Sequence, residues 1–105
     1  MNTSKKGRSA EWLVRDELRE AGYIVYRARA SKGHADLLAF DKYRLLLVAV
    51  RKNRWPSPAD RRDLMSHVVA EFMRGLVAKV RRGRVDFADP VTLGTVYLYP
   101  GVVMS

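Results

Sequence analysis

The run Leu45-Leu-Leu-Val-Ala-Val50 constrains the fold more than any other stretch of this chain. It is almost wholly apolar and shows no alternation, so it reads as a strand buried on both faces and hence central in a sheet that is covered from both sides. It is followed at once by the polar segment Arg51-Lys-Asn-Arg-Trp-Pro56, which leaves the core. Side chains alternate along a strand, so Ala49 and Arg51 share a face. Thirteen residues before Ala49 stands Asp36, the end of Ser31-Lys-Gly-His-Ala-Asp36. An acid, a hairpin and then a two-residue frame on the next strand is an arrangement that can hold a divalent cation, except that position 49 carries no carboxylate.

The surrounding pattern supplies the cover such a strand needs. Ala10, Leu13, Val14, Leu18 and Ala21 form one apolar stripe at helical period, from near Arg8 to the stop at Gly22. Tyr23-Ile-Val-Tyr-Arg27 and Ala35-Asp-Leu-Leu-Ala-Phe40 read as strands, with a break at Ser31-Lys-Gly33 and a tight connection at Asp41-Lys-Tyr-Arg44. Ser57-Pro58 is an N-cap followed by proline at the first helical position, with Asp60 and Asp63 suited to the helix dipole. The apolar set Leu64, Met65, Val68, Val69, Phe72 and Met73 predicts that this helix runs to about Arg74, where Gly75 ends it. Leu76 to Val80 is a strand, Arg81-Arg-Gly-Arg84 a turn, Val85 to Phe87 its return, and Val91 to Tyr99 contains a last short strand. The predicted class is α/β, a central mixed β-sheet flanked by helices. It forms one domain over residues 1–105, with a polar arm at 1–7 expected to be mobile.

Charge narrows the partner. Of 105 residues, 20 are Lys or Arg against 11 Asp or Glu, a net charge of +9, and 14 of the 20 are arginine. Arginine's planar fork suits phosphate oxygens, and a basic compact domain has the electrostatic footprint of a polyanion binder. No apolar run approaches the ~18 residues of a membrane span, and the N-terminus lacks the apolar segment of a signal peptide. The absence of cysteine excludes disulfides and thiolate metal sites and fits a reducing cytoplasm.

Hydrolysis of a phosphodiester needs an activated water and a counter-charge for the phosphorus, which Mg²⁺ (or Mn²⁺) provides through oxygen ligands. Asp36, a carboxylate at 49 and a cation at 51 meet that need, and Glu11 adds a carboxylate if its helix packs over the sheet. Lys6-Gly-Arg-Ser-Ala-Glu11, Gly22-Tyr-Ile-Val-Tyr-Arg27-Ala-Arg-Ala-Ser31-Lys-Gly33, Ala35-Asp36-Leu-Leu-Ala and Leu47-Val-Ala49-Val-Arg51 together resemble the archaeal-type Holliday junction resolvases of the PD-(D/E)xK nuclease superfamily. The resemblance spans residues 6 to 87 and rests on combined order and spacing. It implies a restriction-endonuclease-like fold and a Mg²⁺-dependent homodimer, prokaryotic or viral in a prokaryotic host and cytoplasmic, that nicks branched DNA in recombination and repair. It places Glu11, Asp36 and position 49 at the metal, Arg51 at the catalytic lysine, Ser31 at a catalytic-site serine and Arg27 at a substrate contact.

Two departures follow. Arg51 keeps the charge of lysine but not its usable proton, and Ala49 removes a carboxylate. Three explanations stand: decay to a non-catalytic branched-DNA-binding protein, migration of the carboxylate to Asp60 or Asp63, or deliberate inactivation of a nuclease. The otherwise intact frame favours the third, and the helix-start position of Asp60 and Asp63 argues against the second. Cleavage by the chain as it stands is therefore expected to be impaired. The DNA-backbone candidates are Lys6, Arg8, Arg27, Lys32, His34, Lys52, Arg54, Trp55, Arg81, Arg82 and Arg84. Arg61 and Arg62 oppose the dipole of their helix, Trp12 lies off the apolar stripe, His67 is expected mid-helix, and the apolar C-terminal stretch suits a dimer edge.

Overall fold

The computed structural model describes residues 10–28, 35–99 and 102–104. Helix α1 (Ala10–Glu20) buries Val14 and Leu18 on the stripe its periodicity dictates. It ends at Gly22, whose φ of 99° is the left-handed conformation glycine adopts without cost. The strands β1 (Ile24–Arg27), β2 (Leu37–Phe40), β3 (Leu45–Lys52), β4 (Met73–Arg81) and β5 (Arg84–Ala88) form one sheet in that order. β1–β2, β2–β3 and β4–β5 are antiparallel, while β3–β4 is parallel across a crossover that carries helix α2 (Pro58–Met65). The central strand is the apolar run itself. Its alternate side chains feed two cores: Leu46, Val48 and Val50 pack with α1 residues on one face, and Leu47 and Ala49 pack with Leu64 of α2 on the other.

Short-range chemistry fixes the connections. The Asp41 carboxylate accepts the N–H groups of Tyr43 and Arg44, both at 2.8 Å, closing the β2–β3 hairpin. Ser57 caps α2, its hydroxyl accepting the Asp60 N–H at 3.1 Å. Arg82 (φ 52°) and Gly83 (φ 76°) sit in left-handed conformations at the β4–β5 turn.

The second helix is shorter than the sequence pattern predicts. It ends at Met65, and Val68, Val69 and Phe72 lie in the turns that follow, with Val69 and Phe72 exposed. Met73 begins β4, and Gly75 lies inside that strand rather than at a helix end. Ser66 stops the helix, its N–H bonded to Arg62 O and its hydroxyl donating to Asp63 O at 2.6 Å. The eight-residue β3 also demands a parallel partner over its whole length, from Leu45↔Met73 to Lys52↔Val80. Long-range pairing thus overrides an apolar pattern that suits a helix equally well. His67 accordingly lies in an exposed turn, Nδ1 3.0 Å from Asp63 O, not mid-helix. After β5 the chain loops, with Val96 N–H returning to Phe87 O. β6 (Tyr97–Tyr99) pairs with β7 (Val102–Met104) as a separate antiparallel hairpin where the sequence predicts one strand.

Candidate active site at the end of the sheet

The β2–β3 register pairs Leu37 with Val48, and one step further places Asp36 opposite Ala49. The Asp36 N–H donates to Val48 O at 2.8 Å, while its Oδ2 accepts the Val50 N–H at 2.8 Å. The carboxylate is therefore held against the end of the central strand by the backbone. Arg51 lies on the same face. Its Nη1 is 3.2 Å from Asp36 Oδ2 and 2.8 Å from Val50 O, and its Nη2 is 3.0 Å from Asp60 Oδ2. One guanidinium joins two carboxylates that stand 24 positions apart in the sequence. Arg51 draws the Asp60 carboxyl below its ordinary pKa, chiefly by hydrogen bonding, with the Ser57 cap adding to the effect against a smaller opposing effect of burial. Asp60 thus does more than complement the helix dipole, the role its position in the sequence suggested.

The predicted positions divide by place. Asp36, Ala49 and Arg51 come together. Ala49 is 2% exposed, sealed under α2 among Ala35, Leu47, Leu64, Val77 and Ala88, so its methyl group adds packing and no ligand. Glu11 pairs with Arg27, Oε1 to Nε at 3.2 Å, which gives two predicted site residues to one another. Among the described residues no three acidic or imidazole side chains gather as a metal cluster. Lys6, Arg8, Ser31, Lys32 and His34 lie outside the described residues.

The basic candidates collect at the same end of the sheet. Lys52 ends β3 and Arg54 follows it, and the Asn53 N–H bonds Val80 O, which ties the β3 exit to the end of β4. Arg81, Arg82 and Arg84 project from the adjoining turn, all exposed. Trp55 is half-buried with the Lys79 ammonium 4.8 Å from its ring centroid. Lys79 is a site neighbour that the sequence pattern did not single out. It pairs with Arg51 in the parallel register and with Asp86 on β5. Its signal is a single cation inside the apolar strand Leu76–Val80, at the strand period from Val77. Arg61, whose unfavourable charge at a helix start suggested a purpose, is a tether: Nε donates to Pro56 O and Nη1 to Pro90 O. Trp12 is exposed beneath the Arg15 guanidinium, as its position off the stripe predicts.

The α/β mixed sheet with its parallel β3–β4 crossover is a fold shared with a solved protein. Among solved structures, the chain is similar to Hjc, a Holliday junction resolvase from the archaeal hyperthermophile Archaeoglobus fulgidus. The TM-score is 0.67 with 21% identity, over 81% of this chain and 73% of that one. No protein-family model matches the sequence, and no curated protein does.

Proposed function

We propose that this protein is a structure-selective DNA endonuclease of the Holliday junction resolvase type, working on branched DNA with Mg²⁺ or Mn²⁺, and that Ala49 leaves its cleavage impaired. The observation that carries this reading is the Asp36–Arg51–Asp60 group at the end of the central strand, where backbone bonds hold one carboxylate and a helix brings a second. The resolvase fold and a net charge of +9 support it. The reading includes a homodimer that presents two such sites to paired strands, in a prokaryotic cytoplasm or that of a virus-infected prokaryote. Exposed Val69, Phe72, Tyr43 and the β6–β7 hairpin are its candidate contact surfaces.

Two carboxylates supply hard oxygen donors of the kind Mg²⁺ takes while keeping several waters, so Asp36 and Asp60 fit the ion once Arg51 withdraws from between them. When bound, that ion acidifies water and neutralises phosphate charge. The chain's own contribution is then plain. The Val50 N–H orients Asp36. Arg51 places a positive charge beside the phosphate on a planar fork in place of a lysine's compact ammonium. A missing third carboxylate is expected to cost on the order of 10²–10³ in rate, the scale for one electrostatic group in an active site.

The test is Ala49→Glu on a labelled four-way junction with Mg²⁺. Paired nicks in that variant, abolished again by Asp36→Ala, support the enzyme. A second reading, a non-catalytic branched-DNA binder, is favoured by the engagement of both carboxylates with Arg51 and by the sealing of Ala49 under α2. Tight junction binding with no nicks from either the unaltered chain or the variant selects it.

A further inference from the structure

Helix α2 covers β3 and β4 but not the outer half of the same sheet face. There the side chains of β1 and β2 that point away from α1 stand in register: Ile24 opposite Phe40 and Tyr26 opposite Leu38. Ile24 is 55% and Tyr26 60% exposed, and the Tyr26 and Phe40 rings stack at 5.8 Å between centroids with 19° between planes. An exposed aromatic ring stacked on a half-buried one, with aliphatic neighbours, is an unusual feature for a highly charged domain to leave without a use. The patch lies beside the acidic site. The Ala28 N–H bonds Asp36 O, so Tyr26 is one strand repeat, roughly 7 Å, from the residue pair that carries Asp36.

We propose that the Tyr26–Phe40 pair is a stacking platform for an unstacked nucleobase at the branch point, and that it supplies the preference for branched over linear DNA. This rests on the branched-DNA reading above and deepens it. Every base has a π-face, and in an intact duplex that face is covered by its neighbours. At a branch it is free to lie on an aromatic side chain. Phosphate contacts hold any DNA, whereas a stacking contact is available only where bases are unstacked. Two features select a nucleobase as the occupant. The platform is continuous with the Asp36–Arg51 site on one sheet face. The protein's charge of +9 draws a polyanion to it.

The experiment uses the full chain and a four-way junction carrying 2-aminopurine at the branch point, with a linear duplex of the same sequence as reference. The wild type is expected to quench the probe and to bind the junction more tightly than the duplex. Tyr26→Leu and Phe40→Leu keep an apolar surface and remove the π-face. Each is expected to lose the quenching and to weaken junction binding on the order of tenfold, with duplex binding unchanged. The exposure of Tyr26 makes its replacement tolerable to the fold, which a thermal melt checks. If either variant keeps both the quenching and the junction-to-duplex ratio, the platform is overturned while the branched-DNA reading stands. If Tyr26→Leu lowers the sedimentation coefficient of the free protein, the face belongs to a second copy and the platform is likewise overturned. If the wild type prefers no branched DNA at all, the functional reading itself falls and takes the platform with it.

Discussion

Arg51→Met removes one guanidinium and with it three hydrogen bonds: 3.2 Å to Asp36, 3.0 Å to Asp60 and 2.8 Å to Val50 O. The Asp36 pair is about three-quarters buried on both sides and is worth about 1 kcal/mol. The Asp60 side chain is more than a third exposed, so solvent screening halves its share to about 0.5 kcal/mol. Two carboxylates left facing each other without a counter-charge add repulsion on the order of 0.5 kcal/mol. The expected loss is about 2 kcal/mol at pH 7, or roughly 8 °C in Tm for a domain of this size. The pH dependence has a definite sign. The folded pKa of Asp60 lies below its unfolded value, so its contribution is fully present above the ordinary carboxylate range and is lost as pH falls through the folded pKa. The Asp60 share of the gap between wild type and variant is therefore expected to be fully present at neutral pH and to be lost as pH falls below the ordinary carboxylate range. Urea unfolding of both proteins at about pH 7, 5 and 3 measures it. A gap that is absent at neutral pH, or that stays constant into the acid range, refutes the view that Arg51 holds this site together by charge.

Gly75 lies under α2, where an added Cβ would come 2.6 Å from Met65 Sδ and 3.1 Å from Pro90 Cγ, so Gly75→Ala is expected to destabilise by about 1–2 kcal/mol. Met65→Ala in the same chain should recover most of that in a double-mutant cycle by thermal melt. The Tyr23 hydroxyl is buried without a hydrogen-bond partner among the described residues, and burial raises its pKa. Tyr23→Phe is therefore expected to be neutral or to stabilise by up to about 1 kcal/mol in urea unfolding. Replacing Arg81, Arg82 and Arg84 together by Gln should weaken binding to junction and duplex alike. It should also lower the slope of log K against log salt by about two to three, close to one for each phosphate that an arginine no longer neutralises, as read by fluorescence anisotropy.

Much of this fold is legible along the chain because its causes are local. The apolar stripe of α1, the Ser57 cap, the Asp41 turn and the Arg-Gly hairpin each involve residues within one or two turns of each other, and the apolar run at 45–50 announces a central strand by its own hydrophobicity. The pairing of Asp36 with Arg51 was equally accessible, because a hairpin joins their strands. The end of α2 was not. An apolar set at 64–73 satisfies helical spacing, and only the need of β3 for a parallel partner turns Met73 and Gly75 into strand.

The site shows the same division. Sequence alone determined which chemical groups the chain possesses: an acid before the central strand, an alanine and an arginine near its end and an excess of positive charge. Tertiary structure alone decided that Asp60 meets Arg51, that Glu11 meets Arg27, that Lys79 stands beside the site and that exposed Tyr26 stacks on half-buried Phe40. Those meetings depend on strand register and on where a crossover helix lands, which are settled by burial across the whole sheet rather than by neighbouring residues.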